Sequence, residues 1–170
     1  MLTFVRDKSN TLTAQKSINI KGTLLDLSVP KVMGILNVTP DSFYGGSRQQ
    51  TMADLLHSAD KMLNEGATFL DIGGYSTRPG AEDIDIKDEI KRVLEPIRQV
   101  ASRFPEAIIS IDTFRSEVAS EAIGAGAHIV NDISAGMLDD RMLERVGRMG
   151  VPYIAMHMRG TPQNMKQKTG

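Results

Sequence analysis

The sequence contains no cysteine. Disulfide frameworks, thiolate metal sites and cysteine nucleophiles are therefore excluded, and the composition is compatible with a reducing compartment. The two signs of charge are nearly balanced, with 20 lysines and arginines against 21 aspartates and glutamates and a formal net charge of -1. We therefore expect no broad basic surface for nucleic acid or for an acidic membrane, so that any anionic ligand has to be bound by a local cluster of donors.

Long apolar runs are also missing. No stretch approaches the roughly 18 apolar residues of a membrane-spanning helix, and the opening MLTFVRDKSN lacks the apolar region of a signal peptide. We expect a cytoplasmic protein with no membrane partner. The nucleotide-binding patterns GxGxxG and GxxxxGKS/T and the nucleophile elbow GxSxG do not occur either, so the function has to be sought in other motifs.

Short apolar runs alternate with stretches of helical periodicity from residue 32 onward. The runs are too short for helices and apolar on both faces, as buried parallel strands are, whereas the stretches between them place apolar residues at i, i+3 and i+4. The predicted strands are 32–36, 68–72, 107–111, 128–133 and 152–158. This alternation predicts an α/β fold with right-handed crossovers, and it leaves a doubly wound sheet and a TIM-type (β/α)8 barrel open.

The two ends of the chain depart from this alternation. SINIKGTLLDLS predicts a β-hairpin that turns at Lys21 and Gly22, which we expect to plug the amino-terminal end of a barrel. We divide the chain into this N-terminal hairpin region, residues 1–30, and a partial barrel region, residues 31–170. About five βα units are visible where a barrel has eight over about 250 residues, so we expect an incomplete barrel and a fragment of a longer protein.

Polar residues follow nearly every predicted strand. Asn37, Asp71, Asp112, Asn131 and His157 stand at or just past the carboxyl ends of strands, where ligands bind in both candidate architectures. The loop NVTPDSFYGGS is rich in hydrogen-bonding groups, and the loop DIGGYSTRPGAE adds small residues and donors suited to phosphate oxygens. A long polar turn is the alternative interpretation of the second loop.

Asp112 and Asn131 combine a carboxylate with an amide that donates and accepts, a pair that suits the amino-pyrimidinone edge of a heterocycle. Asp112 is equally suited to cap the following helix, since aspartate is a favoured N-cap residue. The histidines have no metal-ligand spacing. We expect His57 on a solvated helix face and His128 at the far end of its strand, which leaves His157 between a structural role and a site role.

Five motifs together resemble dihydropteroate synthase. They are NVTPDSF (37–43), DIGGYSTRPGA (71–81), SIDT (110–113), NDISAG (131–136) and MHMRGTP (156–162). The resemblance implies a (β/α)8 barrel that condenses 6-hydroxymethyl-7,8-dihydropterin pyrophosphate with p-aminobenzoate in folate biosynthesis. It releases pyrophosphate with Mg²⁺ as cofactor and gives 7,8-dihydropteroate. The aspartate, lysine and Arg-x-His pair of the family's later strands have no counterpart before Gly170.

The resemblance also implies roles for particular residues. The first loop helps to close the p-aminobenzoate pocket, and the second loop contacts the pyrophosphate and the aminobenzoate. Two strand-end residues bind the pterin edge and a methionine packs on the ring, although methionine also fills irregular core gaps. The implied residues are Asp41, Thr77 and Arg78 for catalysis, Phe43, Thr77, Pro79, Asp112, Asn131 and Met156 for substrate binding, and Asn37 for the magnesium–pyrophosphate group.

The expected partners are these small-molecule substrates, with neither nucleic acid nor membrane, and the resemblance implies a homodimer for the full-length family. Two alternatives stay open: a pterin-barrel methyltransferase acting on methyltetrahydrofolate, and a non-catalytic pterin-binding module. A methyltransferase needs no pyrophosphate loop. The motifs NVTPDSF and STRPG therefore favour the synthase.

Overall fold

The computed structural model describes residues 4–6, 12–14, 16–38, 48–76 and 83–156 of the chain. Over these ranges the chain forms a five-stranded parallel sheet, two antiparallel hairpins and four helices. In chain order the elements are β1 (Phe4–Arg6), β2 (Leu12–Ala14), β3 (Ser17–Ile20), β4 (Thr23–Asp26), β5 (Val32–Asn37), α1 (Arg48–Asn64), β6 (Ala67–Gly73), α2 (Ile86–Arg103), β7 (Ile108–Asp112), α3 (Ser116–Ala125), β8 (Ile129–Asp132), α4 (Met142–Met149) and β9 (Tyr153–Ala155).

The parallel sheet has the strand order β5-β6-β7-β8-β9, which is the order of the sequence. The predicted alternation of strands and helices is thereby confirmed. The runs predicted at 32–36, 68–72 and 107–111 lie within one residue of β5, β6 and β7 at both ends. Sequential neighbours throughout are what a barrel wall requires, whereas a doubly wound sheet reverses its order at a switch point.

Helix α2 shows why the periodic stretches fold as helices. Val93, Ile97 and Val100 recur at helical spacing and are completely buried in the core. Asp85 caps the helix by accepting a hydrogen bond from the Lys87 N–H at 3.1 Å. Helix α4 ends at Gly150, whose φ of 64° lies in the left-handed region that glycine adopts at little cost.

The two faces of the sheet bury different residues because successive side chains of a strand point to opposite sides. On the outer face, Leu70, Ile72 and Ile109 are completely buried in the main core with the helices. On the inner face, Phe69 packs in a second core with Ile20 of the β3–β4 hairpin. The hairpin therefore covers the amino-terminal part of the inner face, where we expected a plug.

The predicted hairpin consists of β3 and β4 and turns at Lys21 and Gly22. Asn19 Oδ1 accepts a hydrogen bond of 2.7 Å from the Gly22 N–H, which closes the turn. A further hairpin, β1–β2, pairs Phe4 with Ala14 and was not predicted. Its strands have three residues each, too few for a recognisable periodicity.

The sheet is open at β5 and β9, each of which pairs with one strand within the described part of the chain. Val32 and Ile35 of β5 are 61% and 62% exposed. Apolar side chains along an open edge are what an incomplete barrel presents. Among the described residues, no helix combines the length and the apolar character needed to cross a membrane.

Candidate active site

One row of residues crosses the carboxyl end of the sheet. Asn37 pairs in register with Gly73, Gly73 with Asp112, Asp112 with Asn131, and Asn131 with Ile154. Paired residues on neighbouring strands lie about 4.8 Å apart and present their side chains to the same face. The structure therefore brings three of the predicted site residues together on the inner face of the sheet.

Met156 lies at the same end of the sheet, one residue beyond β9. Its N–H donates a hydrogen bond of 3.1 Å to the carbonyl of Asp132. Its side chain is 39% exposed, so the alternative that Met156 is a core residue is wrong. An accessible methionine beside the row can pack against a flat ring.

Gly73, the last residue of β6, and Gly74 directly after it each have a packing role. A Cβ on Gly73 would lie 3.3 Å from the Asp112 carboxylate, and a Cβ on Gly74 would lie 2.7 Å from a methyl group of Val93 in α2. Gly73 thus leaves space for Asp112 in the row, and Gly74 lets α2 approach the strand.

Asp112 supplies the carboxyl group of this row. Burial raises its pKa to about 7, and the negative charges of Asp71, Glu89 and Asp132 add to the effect. Asp112 does not cap α3, because Arg115 occupies the N-cap position and its side chain makes no capping hydrogen bond there. That alternative is therefore wrong. A carboxyl group with a perturbed pKa at a strand end is a typical feature of a ligand site.

Asp71 is buried directly beneath this row and was not among the predicted site residues, although it stood among the strand-end positions. Its Oδ2 accepts a hydrogen bond of 2.9 Å from Asn131 Nδ2. Burial raises the pKa of Asp71, while the nearby Ser110 hydroxyl and Asn131 lower it. Asp71 Oδ1 and Ser110 Oγ nevertheless meet no partner with hydrogen-bond geometry among the described residues. Asn131 is thus the donor that holds Asp71.

A buried ion pair lies beside the row and was not predicted either. Glu89 of α2 is completely buried. It accepts hydrogen bonds of 2.7 Å from Thr113 Oγ1 and of 2.7 Å from Arg115 Nη1. Burial raises the pKa of Glu89, and these two partners lower it. An acidic residue on the apolar side of a helical pattern was the available signal, but its partner is 26 residues away along the chain.

Arg115 also joins the ends of two loops. Its guanidinium lies 5.1 Å from the ring centre of Tyr75 and 5.2 Å from that of Phe114, both within cation–π range. Its Nη2 donates to Asp83 at 3.0 Å. The segment after β6 and the segment after β7, which begins next to Asp112, are therefore tied to α2 through one cation.

Asp132 holds the loop after β8. Its buried carboxylate accepts hydrogen bonds from the N–H and Oγ of Ser134 at 2.7 and 2.8 Å, from the Gly136 N–H at 2.8 Å and from the Tyr153 hydroxyl at 2.6 Å. Burial and this neighbouring carboxylate raise the pKa of Tyr153. Because Asp132 follows Asn131 directly, the same bonds fix the backbone that carries Asn131.

Replacing Tyr153 with phenylalanine should lower the free energy of unfolding by about 1–2 kcal/mol, because Asp132 loses one of its donors and keeps the others. Denaturant unfolding followed by circular dichroism measures this change. Lys91→Ala is a suitable control, since it removes an exposed ion pair with Asp88 and is expected to change stability by less than about 1 kcal/mol. Equal effects of the two substitutions would contradict the role given to Tyr153.

The remaining predicted positions have no further site role in the described structure. His57 is exposed, and His128 Nδ1 accepts a hydrogen bond of 3.0 Å from the Ile109 N–H, with burial lowering its pKa. Both findings agree with prediction. Some predicted positions lie outside the described residues: Asp41, Phe43, Thr77, Arg78, Pro79 and His157. Among the residues that are described, no group of three or more His, Asp or Glu side chains is arranged to hold a metal ion.

Comparison with known proteins adds to this geometry. The model of the family described as pterin binding enzyme matches residues 33–170. The chain belongs to the pterin-binding enzyme family. This family membership confirms the resemblance found in the five motifs, and it places the row of Asn37, Asp112 and Asn131 inside the matched region.

Relatives of this chain within the family carry a more specific name. Dihydropteroate synthase of Escherichia coli K12 is 46% identical over 147 residues, which are 86% of this chain and 51% of the relative. The dihydropteroate synthase of Yersinia pestis, solved with a sulfonamide drug complex, has a TM-score of 0.78 and 43% identity over 89% of this chain and 54% of its own. The Xanthomonas albilineans synthase, solved with 4-aminobenzoic acid, has a TM-score of 0.78 and 39% identity, covering 85% and 52%.

The chain spans about half the length of the curated relatives it matches. The prediction of an incomplete TIM-type barrel is confirmed, because a parallel five-stranded sheet superimposes on about half of each synthase structure.

Proposed function

We propose that this chain carries the pterin-binding half of a dihydropteroate synthase. The reaction joins 6-hydroxymethyl-7,8-dihydropterin pyrophosphate to p-aminobenzoate, giving 7,8-dihydropteroate and pyrophosphate. The observation that carries the proposal is the row in which Asp112 and Asn131 stand in register on neighbouring strands, in a family named for binding pterins. Because the chain spans half of its relatives, the activity of the whole enzyme is part of the proposal.

The reaction requires no nucleophilic side chain. The bond between the pterin methylene carbon and the pyrophosphate oxygen breaks, the arylamine nitrogen bonds to that carbon, and the amine loses a proton. The electron-rich ring stabilises positive charge on the methylene carbon, and an arylamine is already nucleophilic near neutral pH. The protein has to orient the ring, stabilise the leaving pyrophosphate and exclude water.

Asp112 and Asn131 suit the pterin edge by their chemistry. A carboxylate accepts hydrogen bonds from amino and ring N–H groups, and an amide can both accept and donate. Met156 lies beside them with an accessible side chain suited to a ring face. The roles of Asp41, Phe43, Thr77, Arg78 and Pro79 in binding pyrophosphate and p-aminobenzoate remain predictions from the sequence.

Magnesium is proposed to enter with the pyrophosphate. Mg²⁺ prefers oxygen ligands and is commonly bound by one or two protein groups together with substrate phosphates. Asn37 fits this pattern, because it is exposed at the carboxyl end of β5 and carries an amide oxygen. When bound, the metal would supply positive charge against the leaving group, and the residues of this chain would hold the ring.

The second substrate is proposed from the relatives. The Xanthomonas albilineans synthase was solved with 4-aminobenzoic acid, and the Yersinia pestis synthase was solved with a sulfonamide drug. We therefore propose p-aminobenzoate as the nucleophile of this enzyme and sulfonamides as its competitors. A cytoplasmic location and a homodimer remain predictions.

The decisive test is p-aminobenzoate-dependent release of pyrophosphate from the pterin pyrophosphate. It should be measured for this chain and for a chimera in which residues 33–156 replace the matching segment of the Escherichia coli synthase. We expect the chimera to be active and to lose activity when EDTA removes magnesium. A folded chimera that releases no pyrophosphate would contradict the proposal. Binding of methyltetrahydrofolate by that inactive chimera would favour the methyltransferase.

A further inference from the structure

The hydrogen bond between Asp71 and Asn131 joins two strands that are not neighbours. Asp71 lies on β6 and Asn131 on β8, with β7 between them. The distance from Asn131 Nδ2 to Asp71 Oδ2 is 2.9 Å, so the bond passes across the inner face of β7. Asp71 is 4% exposed. A group this buried contacts the rest of the site through Asn131 rather than through solvent.

This bond determines which end of the Asn131 amide faces Asp71. A carboxylate oxygen accepts hydrogen bonds, so the NH₂ end of the amide turns toward it and the carbonyl oxygen turns away. Asn131 is partly exposed and stands in register with Asp112. The amide oxygen of Asn131 is thereby left for a ligand bound along the row, beside the carboxylate of Asp112.

We propose that Asp71 is a positioning residue that holds the Asn131 amide in one orientation, and that it thereby makes the site select a ring edge rich in hydrogen-bond donors. This inference rests on the proposed function and deepens it. Two neighbouring acceptors match the amino and N–H groups of a 2-aminopyrimidinone. A ring with an oxo group in place of the amino group would place its oxygen, an acceptor, against the acceptor oxygens of Asp112 and Asn131. A site whose polar groups are arranged for hydrogen bonds binds such a ring much more weakly.

The test compares pterin with lumazine, in which an oxo group replaces the 2-amino group, by calorimetric titration of the full chain. Asp71→Asn keeps the size of the side chain, but an amide at 71 can meet Asn131 in either orientation. We expect the ratio of pterin affinity to lumazine affinity to fall about tenfold in this variant, through weaker pterin binding and stronger lumazine binding. If Asp71 had a merely structural role, the substitution would lower the affinities for pterin and for lumazine by the same factor.

Two further variants keep the test independent of folding. Ser110→Ala removes a buried hydroxyl next to Asp71 without touching the Asn131 amide, and it should leave the affinity ratio unchanged. In an Asn131→Ala background the ratio should already be low, and adding Asp71→Asn should not change it, because Asp71 acts through the amide. Circular dichroism confirms that each variant is folded.

The outcomes separate this inference from the proposed function. Binding of pterin by the unaltered chain with an unchanged ratio in Asp71→Asn would overturn the inference and leave the proposed function standing. An effect of Asp71→Asn that persists in the Asn131→Ala background would overturn the inference as well. If the unaltered, folded chain binds no pterin, both are overturned.

Discussion

Replacing Arg115 with methionine is expected to lower the free energy of unfolding by about 3–5 kcal/mol. Arg115 is 13% exposed and Glu89 completely buried, so the substitution leaves a carboxylate in the core without its cation. Removing one partner of a buried ion pair lowers the free energy of unfolding by more than the whole pair contributes to it, because the remaining charge keeps its desolvation penalty. The stacking on Tyr75 and Phe114 is lost as well.

Denaturant unfolding of the full chain measures this loss, and a double variant identifies its cause. Glu89→Gln combined with Arg115→Met removes both charges and retains an oxygen that can accept from Thr113. The double variant should therefore recover most of the lost stability. A loss in Arg115→Met no larger than that in Lys91→Ala would show that Glu89 is not an uncompensated buried charge, and the ion pair would then have no structural importance.

Replacing Asp112 with asparagine is expected to change stability and binding in opposite directions. The pKa of Asp112 is raised to about 7 in the folded chain, compared with 3.8 for an unperturbed aspartate. The folded state therefore holds a proton that the unfolded state has already released, and stability falls as the pH rises from about 4 to about 7. An asparagine cannot ionise, so Asp112→Asn should raise the free energy of unfolding at pH 8 by about 2–4 kcal/mol.

Pterin binding should become weaker in the same variant, by about 1–3 kcal/mol, because the carboxylate that accepts charge-assisted hydrogen bonds is gone. In the unaltered chain, pterin affinity should fall as the pH drops below about 7, since Asp112 then takes up a proton. Calorimetry and unfolding at matched pH values measure both effects. The expectation is wrong if affinity in the unaltered chain does not depend on pH or if Asp112→Asn binds pterin normally.

The sequence by itself determined the sheet, the helices and most of the site's outline. Apolar runs of strand length and helical spacing are local patterns, and they located β5, β6 and β7 within one residue. The rule that ligands bind at the carboxyl ends of parallel strands needs the strand order and no side-chain coordinates. It placed Asn37, Asp112 and Asn131 at the carboxyl end of the sheet, where the structure aligns them in one row.

The tertiary structure alone decided which charged groups are buried together. Asp71 and Asn131 are 60 residues apart in sequence, and Glu89 and Arg115 are 26 apart. Neither pair has a local pattern, because their contacts depend on the register of strands and on how closely α2 approaches the sheet. The sequence marked the polar residues at the strand ends, but the pKa of Asp112 and the orientation of Asn131 come from neighbours that only the folded chain brings within a few ångströms.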